Sequence, residues 1–378
     1  MLARYRHAVV ALTLVLLGAA VPAASTGAPM GDASRPGSTA RTSAGQGSGL
    51  VDALLGGWAE VTASTGQTLA GLWSAGPNGA AIELGGDGRL TVLLLGSDRR
   101  PGGSSERTDV MIVMSLDPTT ERITAASIPR DIIYFPRAAS NGGGNSGLSA
   151  VNGMYDRYAS GSRPEIGAMN AVKRDVEHAL DVAIDYVAFI RFRGFDALVD
   201  EVEGLFVDTP GAIRDPYYQD EPVAPYGVYF PDANDYLLRG ATVPNCPDKR
   251  THCHRALVYV RSRKGYEGDH SNNDYRRSYR QQGIVVSAIE RVIERGSGAA
   301  LDSLRELSLT HLTTDMPTGM SAVSQLYDML DDGVALGRSV VFGPSRFATR
   351  NSSMPIYKYK LRLREVREWV DRHMAPVP

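Results

Sequence analysis

The stretch LTVLLLGSDRRPGGSSERTDVMIVMSLDPTTERITAASIPRD, residues 90–131, decides the fold. It holds three apolar runs of strand length, Leu90–Leu95, Asp109–Leu116 and Arg122–Ile128. The link DPTTE between the last two is hairpin-sized. An antiparallel meander places the end of the first strand beside the start of the second and the end of the third. Asp98, Arg107, Asp109, Arg130 and Asp131 then gather at one edge of a sheet. Arg107 and Asp109 are two apart and face the same way. A solvated ion-pair rim and a functional cluster both fit these five residues alone.

Downstream, the pattern alternates helices and strands. Pro164–Leu180 reads as an amphipathic helix with proline in its first turn. Tyr186–Phe192 reads as a strand, Gly194–Val202 as a helix and Leu205–Val207 as a strand. Asn141–Ser149 is a Gly/Ser loop expected to be mobile. After a Tyr- and Pro-rich stretch come an expected strand, Ala256–Arg263, and a long helix, Asp274–Arg295. Helices near Leu301–Leu307 and Ser321–Leu330, a strand at Ser339–Phe342 and a last helix at Leu361–His373 complete the series. This order predicts an α/β fold, an α/β/α sandwich around a central mixed sheet.

The chain has 378 residues, 22% charged and 43% hydrophobic, an ordinary globular balance. A net charge of -2 and a pI near 6.4 exclude a protein held to nucleic acid by bulk charge. Lysine occurs only at positions 173, 249, 264, 358 and 360, so arginine supplies most of the 40 basic residues. The N-terminus carries Arg4 and Arg6, an apolar run Ala8–Val21, then Pro22, Ala23, Ala24 and Ser25. These are the marks of an export signal, either cleaved or retained as a single anchor. The organisation expected is a signal peptide or anchor (1–24), a flexible linker (25–49), a helical and turn-rich segment (50–88), an extracytoplasmic main domain (89–350) and a C-terminal helix (351–378). In an exported chain Cys246 and Cys253, within NCPDKRTHC, are expected to form a disulfide. The competing reading is a metal site with His252 and His254, for which the loop is too tight to be a good tetrahedral cage.

The segment VRSRKGYEGDHSNNDYRRSYRQQ, 260–282, tips the balance towards function. Arg261 and Arg263 would share one face of the expected strand. Arg277, Arg280 and Gln281 share one helix face, and Asp274 can cap that helix or orient an arginine. Many guanidinium groups with few acids call for an anion, and pyrophosphate suits their forked donors. Two carboxylates beside phosphate are a usual way of holding Mg²⁺. The pair Arg191 and Arg193 lacks such company and reads as a strand edge.

Taken together, LGSD (95–98), RTD (107–109), SIPRD (127–131) and the R-x-R…D-x-x-R-x-x-R-Q run ending at Gln281 resemble the LytR–CpsA–Psr (LCP) family of wall-glycopolymer ligases. The resemblance covers about Leu90 to Gln282, with the motifs in order. It implies an α/β/α domain outside the membrane, at the outer face of the cytoplasmic membrane. The activity implied is a phosphotransferase moving a glycopolymer from a polyprenyl-pyrophosphate carrier onto peptidoglycan. By the same resemblance Asp98 and Asp109 are similar to Mg²⁺ ligands, and Arg99, Arg107, Arg130, Arg261, Arg263, Arg277, Arg280 and Gln281 to a pyrophosphate cradle. Asp274 is similar to its supporting carboxylate. Arg130, Asp131 and Asp109 are the catalytic candidates, with Asp131 or Asp109 accepting the acceptor's proton. Val187, Phe189, Phe195, Leu198, Phe206 and Ile284 are candidates for a lipid groove.

Three departures stand out. Ser149, Ala150 and Val151 precede Asn152 where the family often places a lysine, Glu203-Gly204 replaces a Gly-Gly pair, and the cysteine loop interrupts a compact segment. Two rivals share the same residues: a lipid-pyrophosphate hydrolase and a non-catalytic glycopolymer binder. A transcriptional regulator is excluded by the export signal, the acidic pI and the lack of a helix-turn-helix pattern.

Overall fold

The computed structural model describes residues 81–97, 105–159, 165–218, 227–240, 255–295, 311–317, 329, 335–344, 346–352 and 358–374. Asp98, Arg99, Cys246, Cys253, the export segment and the helices expected near 301–307 and 321–330 lie outside them.

Strands β1 (Leu90–Ser97), β2 (Thr108–Asp117) and β3 (Arg122–Ser127) form the expected antiparallel meander. Two helices, α1 (Met154–Tyr158) and α2 (Ile166–Leu180), lead to β4 (Tyr186–Arg191), which lies parallel to β1. Helix α3 (Phe192–Glu201) follows without a loop. Next come β5 (Leu205–Thr209), β6 (Ile213–Asp215), β7 (Val228–Phe230) and β8 (Ala233–Leu238). Helix α4 (Ala256–Arg261), the short strands β9 (Tyr266–Glu267) and β10 (His270–Ser271), and the long helix α5 (Asp274–Arg295) carry the arginine-rich run. The chain closes with β11 (Leu312–Thr314), β12 (Ala335–Val341), the hairpin β13 (Ala348–Arg350) and β14 (Tyr359–Leu361), and helix α6 (Leu363–Met374). The central sheet is six-stranded, in the order β11-β4-β1-β2-β3-β12, and mixed.

Alternation sends the strand side chains to two cores. On one face Leu93, Leu95, Met111 and Val113 pack against Met169, Val172 and Val176 of α2 and Val366, Trp369 and Val370 of α6. On the other, Val92, Ile112, Met114 and Ile123 pack against Leu198 and Val199 of α3 and Ile284, Ala288 and Ile289 of α5. The sheet is covered on both sides, as an α/β/α sandwich requires. The C-terminal helix therefore shares the main core.

Ala256–Arg261 is a helix, not the expected strand. Its five apolar residues, Ala256 to Val260, are all buried, so no polar face marks a period. Such a short apolar run fits either element, and its surroundings decide. Tyr259 donates its backbone N–H to Arg255 O and Ser262 to Val258 O, closing helical turns. The Gly/Ser loop 141–149 is well pinned: Asn141 Nδ2 donates to Ala171 O and Asp175 Oδ1, both at 2.7 Å. No helix among the described residues is long and apolar enough to cross a membrane.

Candidate active site

Strand β2 enters the site through Thr108 and Asp109, and the turn after β3 brings Arg130 and Asp131 beside them. In β1, Gly96 permits this close strand approach, since a Cβ there would stand 2.8 Å from Val110 Cβ. Arg130 Nη1 donates to Asp109 Oδ2 at 2.7 Å, and Asn152 Nδ2 donates to Asp109 Oδ1 at 2.8 Å. Arg130 also faces Asp131 Oδ2 at 3.7 Å and Asp274 Oδ2 at 3.9 Å. Burial alone would pull the Arg130 pKa down. The facing Asp109, Asp274 and Asp131 outweigh it and hold the guanidinium above its ordinary value.

The arginine-rich run arrives from the other side. Asn273 caps α5, its Oδ1 accepting from Tyr275 N at 3.0 Å and Arg276 N at 3.1 Å. Asp274 is thus released to orient arginines: its Oδ1 lies 3.3 Å from Arg277 Nη1 and 3.6 Å from Arg263 Nη1. Burial pushes the Arg277 pKa down, the mark of a charge held largely out of water. Arg261 ends α4 with its guanidinium 5.4 Å from the centre of the Phe192 ring. Because α4 replaces a strand, Arg261 and Arg263 do not share a strand face. They meet at the site because Arg263 lies in the loop after the helix, where Asp215 Oδ2 accepts the N–H groups of Arg263 at 3.1 Å and Lys264 at 2.9 Å.

These residues enclose a cleft of about 220 Å³, lined by Arg130, Arg261, Arg263, Lys264 and Arg277 against the carboxylates of Asp109 and Asp215. Gln281 also lines it, with Nε2 tied to Val260 O at 3.1 Å. Five cationic residues against Asp109, Asp215 and the adjacent Asp274 leave this inner cleft a positive surplus suited to phosphate oxygens. A second, outer cleft of about 600 Å³ adjoins it at Asp109 and Arg130, lined also by Arg107, Asp131, Asn152, Arg157 and Lys358 among others.

Two expected cradle residues sit elsewhere. Arg280 is buried and spends its donors on the fold: Nε on Tyr259 O at 3.0 Å, Nη1 on Asn272 Oδ1 at 3.2 Å, and further contacts to Glu267 and Ser262 O. It braces the loop that presents Arg263. Arg107 lines the outer cleft and not the inner one. The expected lipid-groove residues are also divided. Val187 and Phe189 lie in one core, Leu198 and Ile284 in the opposite one. Phe195 packs beside the latter, and Phe206 is 41% exposed, with the Arg291 guanidinium over its ring. They form no single groove. Arg191 ends β4 as expected and is gripped bidentately by Glu106 at 2.6 and 2.7 Å, outside both clefts.

Sequence reasoning missed Asp215, Lys358, Arg157 and Phe192. Asp215 had only the turn signal of Asp-Pro to mark it. Lys358 had only its rarity as a lysine. Asn152 stands in the sequence only as the residue that follows the Ser149–Val151 departure, with no role assigned to it.

Asp109 is the described half of the expected metal pair. It lies at the boundary of both clefts, and a carboxylate is the right donor for Mg²⁺. Its oxygens already receive Arg130 and Asn152, so any cation there would share them.

Solved structures with the same fold include B. subtilis TagV, with a TM-score of 0.52 and 22% identity over 77% of this chain and 99% of that one. Another is protein gbs0355 from Streptococcus agalactiae, with a TM-score of 0.53 and 20% identity over 75% of this chain and 87% of that one. The LytR_cpsA_psr family model matches residues 74–335, and the chain belongs to that family. Curated relatives include the polyisoprenyl-teichoic acid–peptidoglycan teichoic acid transferase TagV of Bacillus subtilis, 25% identical over 76% of this chain. The transferase of the same class named TagU, of Halalkalibacterium halodurans, is 29% identical over 62% of this chain. The aligned regions span 66% and 65% of those two relatives, a little under two thirds of their length.

Proposed function

We propose that this protein is a phosphotransferase that moves a wall glycopolymer from a polyprenyl-pyrophosphate carrier onto peptidoglycan, at the outer face of the cytoplasmic membrane. One observation carries the reading: Arg130, Arg261, Arg263 and Arg277, from three separate segments, line one small cleft beside Asp109. The names of the relatives support the substrate class.

In this reading the pyrophosphate lies in the inner cleft. A hydroxyl oxygen of the acceptor glycan bonds to the sugar-linked phosphorus, and the bond from that phosphorus to the bridging oxygen breaks. Polyprenyl phosphate departs with the electron pair, and the inner arginines neutralise the charge it gathers. Asp131 and Asp109 both line the outer cleft, each with a cationic partner, and one of the two takes the hydroxyl proton. Mg²⁺ held by Asp109 together with Asp98 would add charge neutralisation at the phosphate oxygens.

The test is titration of a short-chain polyprenyl-pyrophosphate glycan into wild type, Arg130→Lys, Arg263→Lys and Arg277→Lys. Loss of one forked contact should weaken binding roughly ten- to a hundredfold. Equal binding by all four proteins would refute the cradle. Product carrying the polymer on an added glycan separates transfer from hydrolysis, and release of polyprenyl phosphate separates an enzyme from a binder.

A further inference from the structure

The outer cleft meets the inner one at Asp109 and Arg130 and shares none of its other lining residues. An in-line displacement at phosphorus needs the attacking and leaving oxygens on opposite sides of the reacting atom. With the leaving phosphate in the inner cleft, attack comes from the outer one. At about 600 Å³ the outer cleft is the right size for a sugar-sized ligand.

Its charge is the more specific clue. Asp109 and Asp131, the two carboxylates lining it, are engaged by Arg130 and Lys358, at 2.7 and 2.8 Å. Arg107 and Arg157, both exposed, add positive charge with no ion pair among the described residues. Lys358 immediately precedes β14, beyond the family-matched residues 74–335. It is firmly placed. Tyr359 beside it donates its backbone N–H to Asp131 O at 3.3 Å and accepts from Ile133 N at 2.8 Å. The Tyr359 ring meets that of Tyr275, on α5, edge to face at 6.1 Å. One ammonium donor goes to Asp131, leaving two for a ligand.

We infer that the outer cleft is the acceptor site, and that Lys358 with Arg157 and Arg107 selects a glycan acceptor bearing carboxylates, as an acidic peptide-substituted strand does. The inference rests on the transferase reading for its role, though not for its binding chemistry. The C-terminal hairpin supplies part of the substrate specificity, and Lys358 puts a positive charge beside the 149–152 segment, where the lysine of the family pattern is lacking.

The experiment titrates a disaccharide–peptide fragment of peptidoglycan, with free or fully amidated carboxyls, into the full chain. Wild type, Lys358→Ala and Arg157→Gln are compared, with thermal melts as a folding check. Wild type should prefer the acidic fragment, and each variant should bind it about five- to twentyfold more weakly. Binding of the lipid-linked donor, titrated separately, should stay within about twofold. In turnover the loss in Arg157→Gln should fall on the acceptor KM. Equal binding of both fragments by wild type, or unchanged binding by both variants, would overturn the inference, as would a loss confined to the donor. Arg157→Gln is exposed and keeps the test valid should Lys358→Ala fail to fold. Binding is read without turnover. Wild type that binds the acidic fragment but transfers nothing would therefore reject the transferase reading while retaining the site.

Discussion

Arg130 Nη1 and Asp109 Oδ2 stand 2.7 Å apart, and this ion pair is the wall common to two clefts. The side chains are 20% and 14% exposed, so the pair is screened from water yet open to a ligand on either side. A guanidinium shared among Asp109, Asp131 and Asp274 keeps three carboxylates close together without mutual repulsion deciding their geometry.

Arg277 and Arg280 share a helix face but should respond differently to substitution. Arg280→Met leaves Glu267 unpaired in a buried setting and strands the carbonyls of Tyr259 and Ser262. A stability loss of about 3–5 kcal/mol is expected. Arg277→Lys should melt close to wild type while losing donor affinity. Denaturant titration of both checks this, and equal stabilities would return Arg280 to the cradle.

Asp215 is 1% exposed and accepts from Tyr217 N, Ser262 Oγ, Arg263 N and Lys264 N. Asp215→Asn turns a donor towards at least one of those donors. It should cost about 1–3 kcal/mol of stability and loosen the loop that presents Arg263. Donor titration should then show weaker binding, and Arg263→Lys added to Asp215→Asn should cost less than it does alone, because both act through one loop. Full additivity would separate the two residues.

Asp109 should matter far more to turnover than to folding. Asp109→Ala is expected to lower transfer by roughly two orders of magnitude or more. Chelation of Mg²⁺ should bring wild type towards the same level. Wild-type rates in chelator would remove the metal from the reaction.

His311 provides a check on stability against pH. Burial, with Arg193 nearby, holds its imidazole below the ordinary pKa. Folding therefore favours the neutral ring. That contribution is fully present above the unfolded value of about 6.5 and is lost as the pH falls from there towards the folded pKa. Melting temperatures measured between about pH 7.5 and pH 5.5 should fall more steeply for wild type than for His311→Gln. Parallel slopes would assign the pH dependence to other groups.

The sequence by itself determined the layers and the register of the site. The runs at 90–95, 109–116 and 122–128 alternate so that Leu93 and Val92 must part to opposite faces, and the short DPTTE link permits only a hairpin. Asp109 and Arg130 are brought to one edge by that topology alone, and helical spacing puts Arg277 and Gln281 on one face. Tertiary structure decided the rest, because local pattern encodes which side a residue faces and not what it meets there. Ala256–Val260, apolar throughout and buried, carries no period that separates helix from strand, and its surroundings made it a helix. Arg280 met backbone carbonyls while Arg277, one turn earlier, met the cleft. Lys358 reached Asp131 across 227 residues of sequence, a pairing that exists only because β14 closes against the turn after β3.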